Sequence, residues 1–225
     1  MSNFDSDGSP DSEWDDRGDL AWNEFDWERY LREQDEAVLR YLRFYESCRN
    51  TPERIDEVAE KMGWGQDNWS DEPGAAPGEE REPAENAGAD DVYTLHKNPI
   101  FIATKAICLA LKRSWEALAA DCTKVPQPLA LAFLASLHRG EEQAVQAIHA
   151  LDFGDYAMAV SLFKRALSAL NGSFALLGAE SVERHRAVLA WREEAMPRLF
   201  DLREIWLRVI AECREELDRP VDEEN

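Results

Sequence analysis

The sequence has few basic residues for its size. Its 25 lysines and arginines stand against 46 aspartates and glutamates, which gives a formal net charge of −21. Binding to nucleic acid or to an anionic lipid surface needs clustered Lys and Arg that neutralise phosphates, so this composition argues against both kinds of partner. Most of the acidic excess lies in residues 1–35 (net −9) and 52–91 (net −10), whereas residues 92–178 carry +2. We therefore expect the acids to lie outside an apolar centre.

The sequence also lacks a long hydrophobic run and any paired-cysteine motif. Lys105 and Lys112 interrupt the most apolar stretch before it reaches the roughly 20 residues that a membrane-spanning helix needs. The first residues, MSNFDSDGSP, have neither the basic nor the apolar region of a signal peptide. Cysteines without a CxxC spacing are most often reduced and buried in an intracellular protein. These absences predict a cytoplasmic protein.

Local catalytic signatures are missing as well. The sequence contains no glycine-rich phosphate loop, no Gly-x-Ser-x-Gly elbow and no His-Glu-x-x-His helix. We predict no catalytic residue and no cofactor from it. An enzyme remains an open alternative, because a site assembled from distant residues leaves no local motif.

The strongest helix signal that is present covers residues 98–122. Asn98 is a residue type that caps helices, and Pro99 follows at the first helical position, where a missing N–H costs nothing. Apolar residues then recur at helical spacing and widen onto a second face: Ile100, Ala103, Ile107, Leu111 and Leu118, with Phe101, Cys108 and Trp115. A helix this apolar needs covering on most sides, so several neighbouring helices are expected.

Two helices are predicted before this stretch. Asp26 can cap a helix that ends near residue 49, with Trp27 and Leu31 on its apolar stripe. A short helix follows over residues 52–63, where Gly63 can end it. We interpret these two helices as a pair that packs on the apolar centre.

Three further helices are predicted after it. The first covers residues 128–153 and continues through Gly140, because the apolar period persists beyond the glycine. The second begins at Asp155 and stops near Gly172, before a fresh segment at residues 173–177. The last runs from a cap at Ser181 to residue 218, with a kink or restart at Pro197. Its apolar residues alternate by three and four, which is typical of a seam against a partner helix: Leu199, Leu202, Trp206, Val209, Cys213 and Leu217.

The sequence therefore predicts an all-α protein. Residues 96–218 are expected to form an up-down four-helix bundle, preceded by the helical pair at residues 26–63. Acidic composition with glycine and proline predicts a disordered tail at residues 1–25, a flexible linker at residues 64–95 and an acidic C-terminal tail at residues 219–225.

One segment resembles a known family. Gly154, Tyr156, Ala159, Phe163 and Ala166 fall at the spacings of the second helix of a tetratricopeptide repeat. The resemblance covers this one helix, since residues 141–153 lack the family's large aromatic and glycine, and no second copy of the repeat occurs. It implies a tight turn and a closely packed helical hairpin, and no peptide-binding residues follow from it.

A metal site is the one chemical hypothesis that the histidines allow. If the helix continues through Gly140, then His138, Glu142 and His149 lie on one stripe of it. Imidazole and carboxylate are ordinary metal ligands, although the Glu-x-x-His spacing of di-iron bundles is absent. These three residues are the candidate metal ligands.

For function, the leading hypothesis is a non-enzymatic protein–protein interaction or regulatory module. Trp14, Leu20, Trp22 and Phe25 are set among acids, a pattern that can dock in a basic, apolar groove or fold back on its own domain. The expected partner is a protein, with a basic protein as one option, and a homo-oligomer stays open. Two alternatives are a metal-binding or enzymatic bundle, and an acidic decoy that occupies the nucleic-acid groove of a basic protein.

Overall fold

The computed structural model describes residues 22–64 and 97–219. Helices make up 84% of these residues, and no strand occurs among them, so the all-α prediction is confirmed. The predicted tail, linker and C-terminal tail lie almost entirely outside this range. None of the helices that the structure describes is both long and apolar enough to span a membrane.

Six α-helices and one short 3-10 helix form the described part of the chain. The α-helices are α1 (Glu24–Ser47), α2 (Arg54–Lys61), α3 (Pro99–Ala119), α4 (Gln127–Asp152), α5 (Tyr156–Leu177) and α6 (Arg186–Asp218), and the 3-10 helix is Glu180–Arg184.

The local signals set several of these boundaries. The Asn98 side chain accepts a hydrogen bond from the Phe101 amide at 3.0 Å, which caps α3 as predicted. Asp155 caps α5 in the same way, through the Met158 amide at 2.9 Å. Gly154, just before it, has a φ of 71°, a conformation that favours glycine over residues with a side chain.

Four predicted boundaries are wrong, each for a packing or capping reason. Helix α1 begins at Glu24, because Asn23 and not Asp26 is its N-cap. Helix α5 continues past Gly172 to Leu177, which is fully buried and holds the last turn in the core. Helix α6 begins at Arg186 and not from a cap at Ser181, which lies in the 3-10 helix.

Pro197 also fails to interrupt α6, which is helical on both sides of it. Proline removes one backbone hydrogen bond and disfavours the preceding turn. Ala195 and Leu199, two residues before and after it, are both buried. Burial of this face offsets the local cost of the proline, so the predicted restart does not occur.

Helix α3 lies among three neighbours. It contacts α1, α4 and α6, while α4 contacts α5 and α5 contacts α6. Each of the helices α3, α4, α5 and α6 thus contacts two others of these four. The apolar residues predicted for α3 are buried, except for Leu118, which is half-buried. Helix α3 is therefore covered by α1, from the N-terminal helical pair, together with α4 and α6.

Candidate interaction surface

Helix α1 carries one apolar stripe along its whole length, but only its second half is covered. Trp27, Leu31, Val38, Tyr41 and Tyr45 recur at steps of three, four or seven residues and so lie on one side of the helix. Tyr41 is 1% exposed and Tyr45 2% exposed, whereas Trp27 is 52% and Leu31 49% exposed. The predicted apolar stripe is therefore present, but Trp27 and Leu31 on it are exposed. We call residues 24–37 the uncovered half of α1, since none of them is buried.

Local interactions stabilise the uncovered half. The Asn23 side chain accepts hydrogen bonds from the Phe25 amide at 2.8 Å and the Asp26 amide at 3.2 Å. The Asp26 carboxylate in turn accepts a hydrogen bond from the Asn23 amide at 3.2 Å, which completes a capping box. Ion pairs one turn apart, such as Arg32 with Glu28 at 2.8 Å, add a few tenths of a kcal/mol each, roughly.

An aromatic cluster lies at the start of this half. The Trp27 ring packs against Trp22 at 4.8 Å and against Tyr30 at 5.9 Å between ring centroids. Trp22 also lies 5.4 Å from Tyr30. Trp22 therefore folds back onto α1, and Phe25 beside it remains largely exposed. The N-terminal aromatics that are described thus give α1 an apolar end and do not reach the core.

The uncovered half is also strongly acidic. Residues 24–37 contain six acids and two bases, which gives a net charge of −4. The apolar stripe is therefore flanked by carboxylates that carry most of the charge of this segment. Such a surface complements a groove with an apolar floor and a rim of Lys and Arg.

The covered half of α1 is fixed to α6 by polar contacts. The Tyr45 hydroxyl and the Arg54 Nε both donate hydrogen bonds to one oxygen of Asp201, whose side chain is 13% exposed. Arg198 Nη2 contacts both carboxylate oxygens of Glu46, at 2.8 and 3.0 Å. These contacts hold the C-terminal half of α1 against α6, whereas its first half remains uncovered.

Burial dominates the titration of the two tyrosines in this half of α1. Desolvation raises the pKa of Tyr45 far above its usual range, and the nearby Asp201 charge and its hydrogen bond raise it further. Desolvation by burial also raises the pKa of Tyr41. Its buried hydroxyl has no hydrogen-bond partner among the described residues. Trp64, at the start of the predicted linker, stacks on Tyr41 with ring centroids 5.7 Å apart and so packs on the folded part.

A second buried charge lies between α3 and α4. Glu141 is 6% exposed, and it accepts hydrogen bonds from Lys105 Nζ at 2.9 Å and Lys112 Nζ at 2.6 Å. Burial alone would raise the pKa of this carboxyl, but the two lysines outweigh it and the pKa lies below its ordinary value. Lys105 and Lys112, which interrupt the apolar stretch in the sequence, thus form one ion cluster between α3 and α4 with Glu141.

The predicted metal ligands do not form one site. Helix α4 is continuous through Gly140, as predicted, and His138, Glu142 and His149 are exposed on it. His138 and His149 are eleven residues apart, which is about 16 Å along a helix and too far for one ion. Within residues 22–64 and 97–219, no group of three or more His, Cys, Asp and Glu side chains could hold a metal.

Comparison with protein-family models, with curated proteins and with solved structures found no match to this chain. The tetratricopeptide resemblance of residues 154–167 therefore gains no support from these comparisons. Helix α5 does pack closely on α4, since a Cβ added at Gly140 would lie 3.6 Å from the Ala166 carbonyl oxygen.

The sequence analysis missed Glu141, Asp201 and the uncovered half of α1. Glu141 lies four residues after Leu137 and three before Ala144, on a stripe that is otherwise apolar. An acid in that register is a signal for a buried ion pair. Asp201 lies four residues before buried Ile205, which is a weaker signal of the same kind. No local signal reports which part of an apolar stripe is covered.

Proposed function

We propose that this protein is a non-enzymatic interaction module of the cytoplasm, and that the uncovered half of α1 is its docking helix. The observation that carries the proposal is the apolar stripe of α1, buried at Tyr41 and Tyr45 and exposed at Trp27 and Leu31. The occupant we infer is a partner protein with an apolar groove bordered by Lys and Arg. The four free cysteines fit a reducing compartment.

Two features favour such a groove over a second copy of the chain. The uncovered half carries a net charge of −4, so two copies brought together would repel each other. Its capping box and ion pairs keep it helical before binding, so a partner would not bear the full cost of ordering it. Aromatic residues such as Trp27 are the usual anchors of helix-in-groove complexes.

We also propose that α3–α6 run alternately up and down. Trp115 at the end of α3 donates to the Ala130 carbonyl near the start of α4 at 3.0 Å. Ser136 of α4 donates to the Ala169 carbonyl late in α5 at 2.7 Å. Trp206, late in α6, donates to Thr104, early in α3, at 3.1 Å. Each pair joins the first half of one helix to the second half of its neighbour, which supports antiparallel neighbours.

Site-specific photo-crosslinking tests the docking proposal. A photoreactive side chain replaces Leu31 in one variant and the exposed Leu131 of α4 in a matched control. In cell extract, we expect Leu31 to capture a basic protein that Leu131 does not capture. Capture should fall at least tenfold with Trp27→Ala and should weaken as salt rises, because exposed charges are screened.

Three outcomes of this experiment would contradict the proposal. One is the same set of proteins from both positions, which would mean nonspecific contact. Another is capture of a second copy of the chain alone at Leu31. The third is capture that neither salt nor Trp27→Ala changes, since the stripe and its acids would then play no part.

A further inference from the structure

A sulfur–nitrogen contact joins the C-terminal ends of α1 and α2. The Cys48 Sγ lies 2.8 Å from the Lys61 Nζ. That distance is short even for a hydrogen bond between nitrogen and the smaller oxygen atom, whose usual N···O separation is about 2.9 Å. The separation is close to the distance between nitrogen and sulfur when one oxygen atom is bonded to both.

The two side chains differ in their exposure. Cys48 is 2% exposed and follows the last residue of α1, whereas Lys61 is the last residue of α2 and is exposed. The hydrogen bond with the Cys48 side chain raises the pKa of Lys61, because contact with sulfur favours the charged ammonium. The packing thus holds one thiol against one amine.

The other cysteines lack this arrangement in the structure. Burial raises the pKa of the Cys213 thiol to about 11 and that of Cys108 higher still, so both thiols stay protonated and unreactive. Cys122 is exposed in the turn after α3. Cys48 is therefore the one cysteine held against a lysine in the part of the chain that the structure describes.

We propose that Cys48 and Lys61 form a modification site at which dioxygen joins the two side chains through an N–O–S bridge. The Lys61 ammonium first loses a proton to the solvent. The thiol and the resulting neutral amine then each give two electrons to dioxygen, and the O–O bond breaks. One oxygen atom bonds to both Sγ and Nζ. The other leaves as water, with the thiol proton and one amine proton. Dioxygen is small and apolar, so it reaches a packed thiol that larger oxidants do not.

The bridge would tie α2 to the end of α1. Helix α2 also carries Asp56, which contacts Arg208 of α6 at 2.5 Å, and Arg54 beside it binds Asp201. A bridge that closes residues 48–61 restricts the unfolded chain and so stabilises this corner. The inference does not depend on the proposed docking function.

Intact mass spectrometry of the full-length protein tests the proposal. The protein is first reduced, and the reductant is then removed and the sample kept in air-saturated buffer. We expect a species that has gained one oxygen and lost two hydrogens, with residues 48 and 61 in one crosslinked peptide. A thiol reductant should reverse the change, and the oxidised form should melt at a higher temperature.

Two variants separate the bridge from simpler oxidation. Lys61→Arg keeps the charge but removes the primary amine, so it should abolish the species without unfolding the protein, because Lys61 itself is exposed. Cys213→Ser removes another buried thiol and should leave the species unchanged. The proposal is overturned by no change in mass, by oxygen gain without loss of hydrogen, by a crosslink without oxygen, or by the same species in Lys61→Arg.

Discussion

The two halves of α1 share an apolar period but have opposite environments. Both carry large apolar residues at steps of three and four, with Arg and Glu between them. In the second half, α3 and the polar contacts to α6 cover Tyr41 and Tyr45, and in the first half Trp27 and Leu31 stay exposed. Periodicity therefore identifies the side of a helix that can be buried, while the length of the neighbouring elements decides how much of it is buried.

The largest difference in stability is expected between two single variants, each of which removes one aromatic ring from one half of α1. Tyr45→Ala removes a buried ring and the hydroxyl that binds Asp201, so we expect a loss of about 3–5 kcal/mol in the free energy of unfolding. Trp27→Ala, in the uncovered half, should change it by only about 0.5 kcal/mol. Urea unfolding followed by circular dichroism measures both, and equal losses would mean that the first half is covered too.

A smaller contrast is expected between the ion pairs of the two halves. Asp201→Ala removes the acceptor shared by Arg54 and Tyr45, so buried donors are left without it and stability should fall by about 2–3 kcal/mol. Glu28→Ala removes an exposed pair with Arg32 and should cost about 0.3 kcal/mol. The same unfolding assay applies, and a loss below 1 kcal/mol for Asp201→Ala, roughly, would show that the clamp is weak.

The smallest effect concerns pH, and it compares buried Glu141 with the exposed acids of α1. Two lysines hold the pKa of Glu141 below its ordinary value of 4.5, so its stabilising contribution is present above that pH and is lost as the pH falls through the lowered pKa. Thermal melts from pH 6 to pH 3, roughly, should show a smaller acid-induced drop for Glu141→Gln than for the parent protein. If the drop is unchanged, Glu141 does not contribute to the acid sensitivity. Glu142→Gln is the matched control, because Glu142 lies next to Glu141 but is exposed.

Helix type and most helix positions were predictable because their causes are local. Asn98 with Pro99 and Asp155 after Gly154 set two starts, and the apolar period carried α4 through Gly140. The predicted stop at Gly172 and the restart at Pro197 were wrong, because local penalties of about 1 and 3 kcal/mol for glycine and proline are smaller than the free energy gained by burying the residues around them. The candidate metal ligands failed for another reason, since a shared stripe does not bring residues eleven positions apart together.

The sequence alone determined that the described part of the chain is helical and which faces of its helices are apolar, because these follow from interactions within a few turns. Only the tertiary structure decided that α1 and not α5 packs on α3, that Glu141 and Asp201 are buried among cations, and that Trp27 and Leu31 remain exposed. Each of these depends on what a distant segment places against a given face. Contacts of that kind join residues up to 156 positions apart, as Tyr45 and Asp201 are, and no local pattern encodes them.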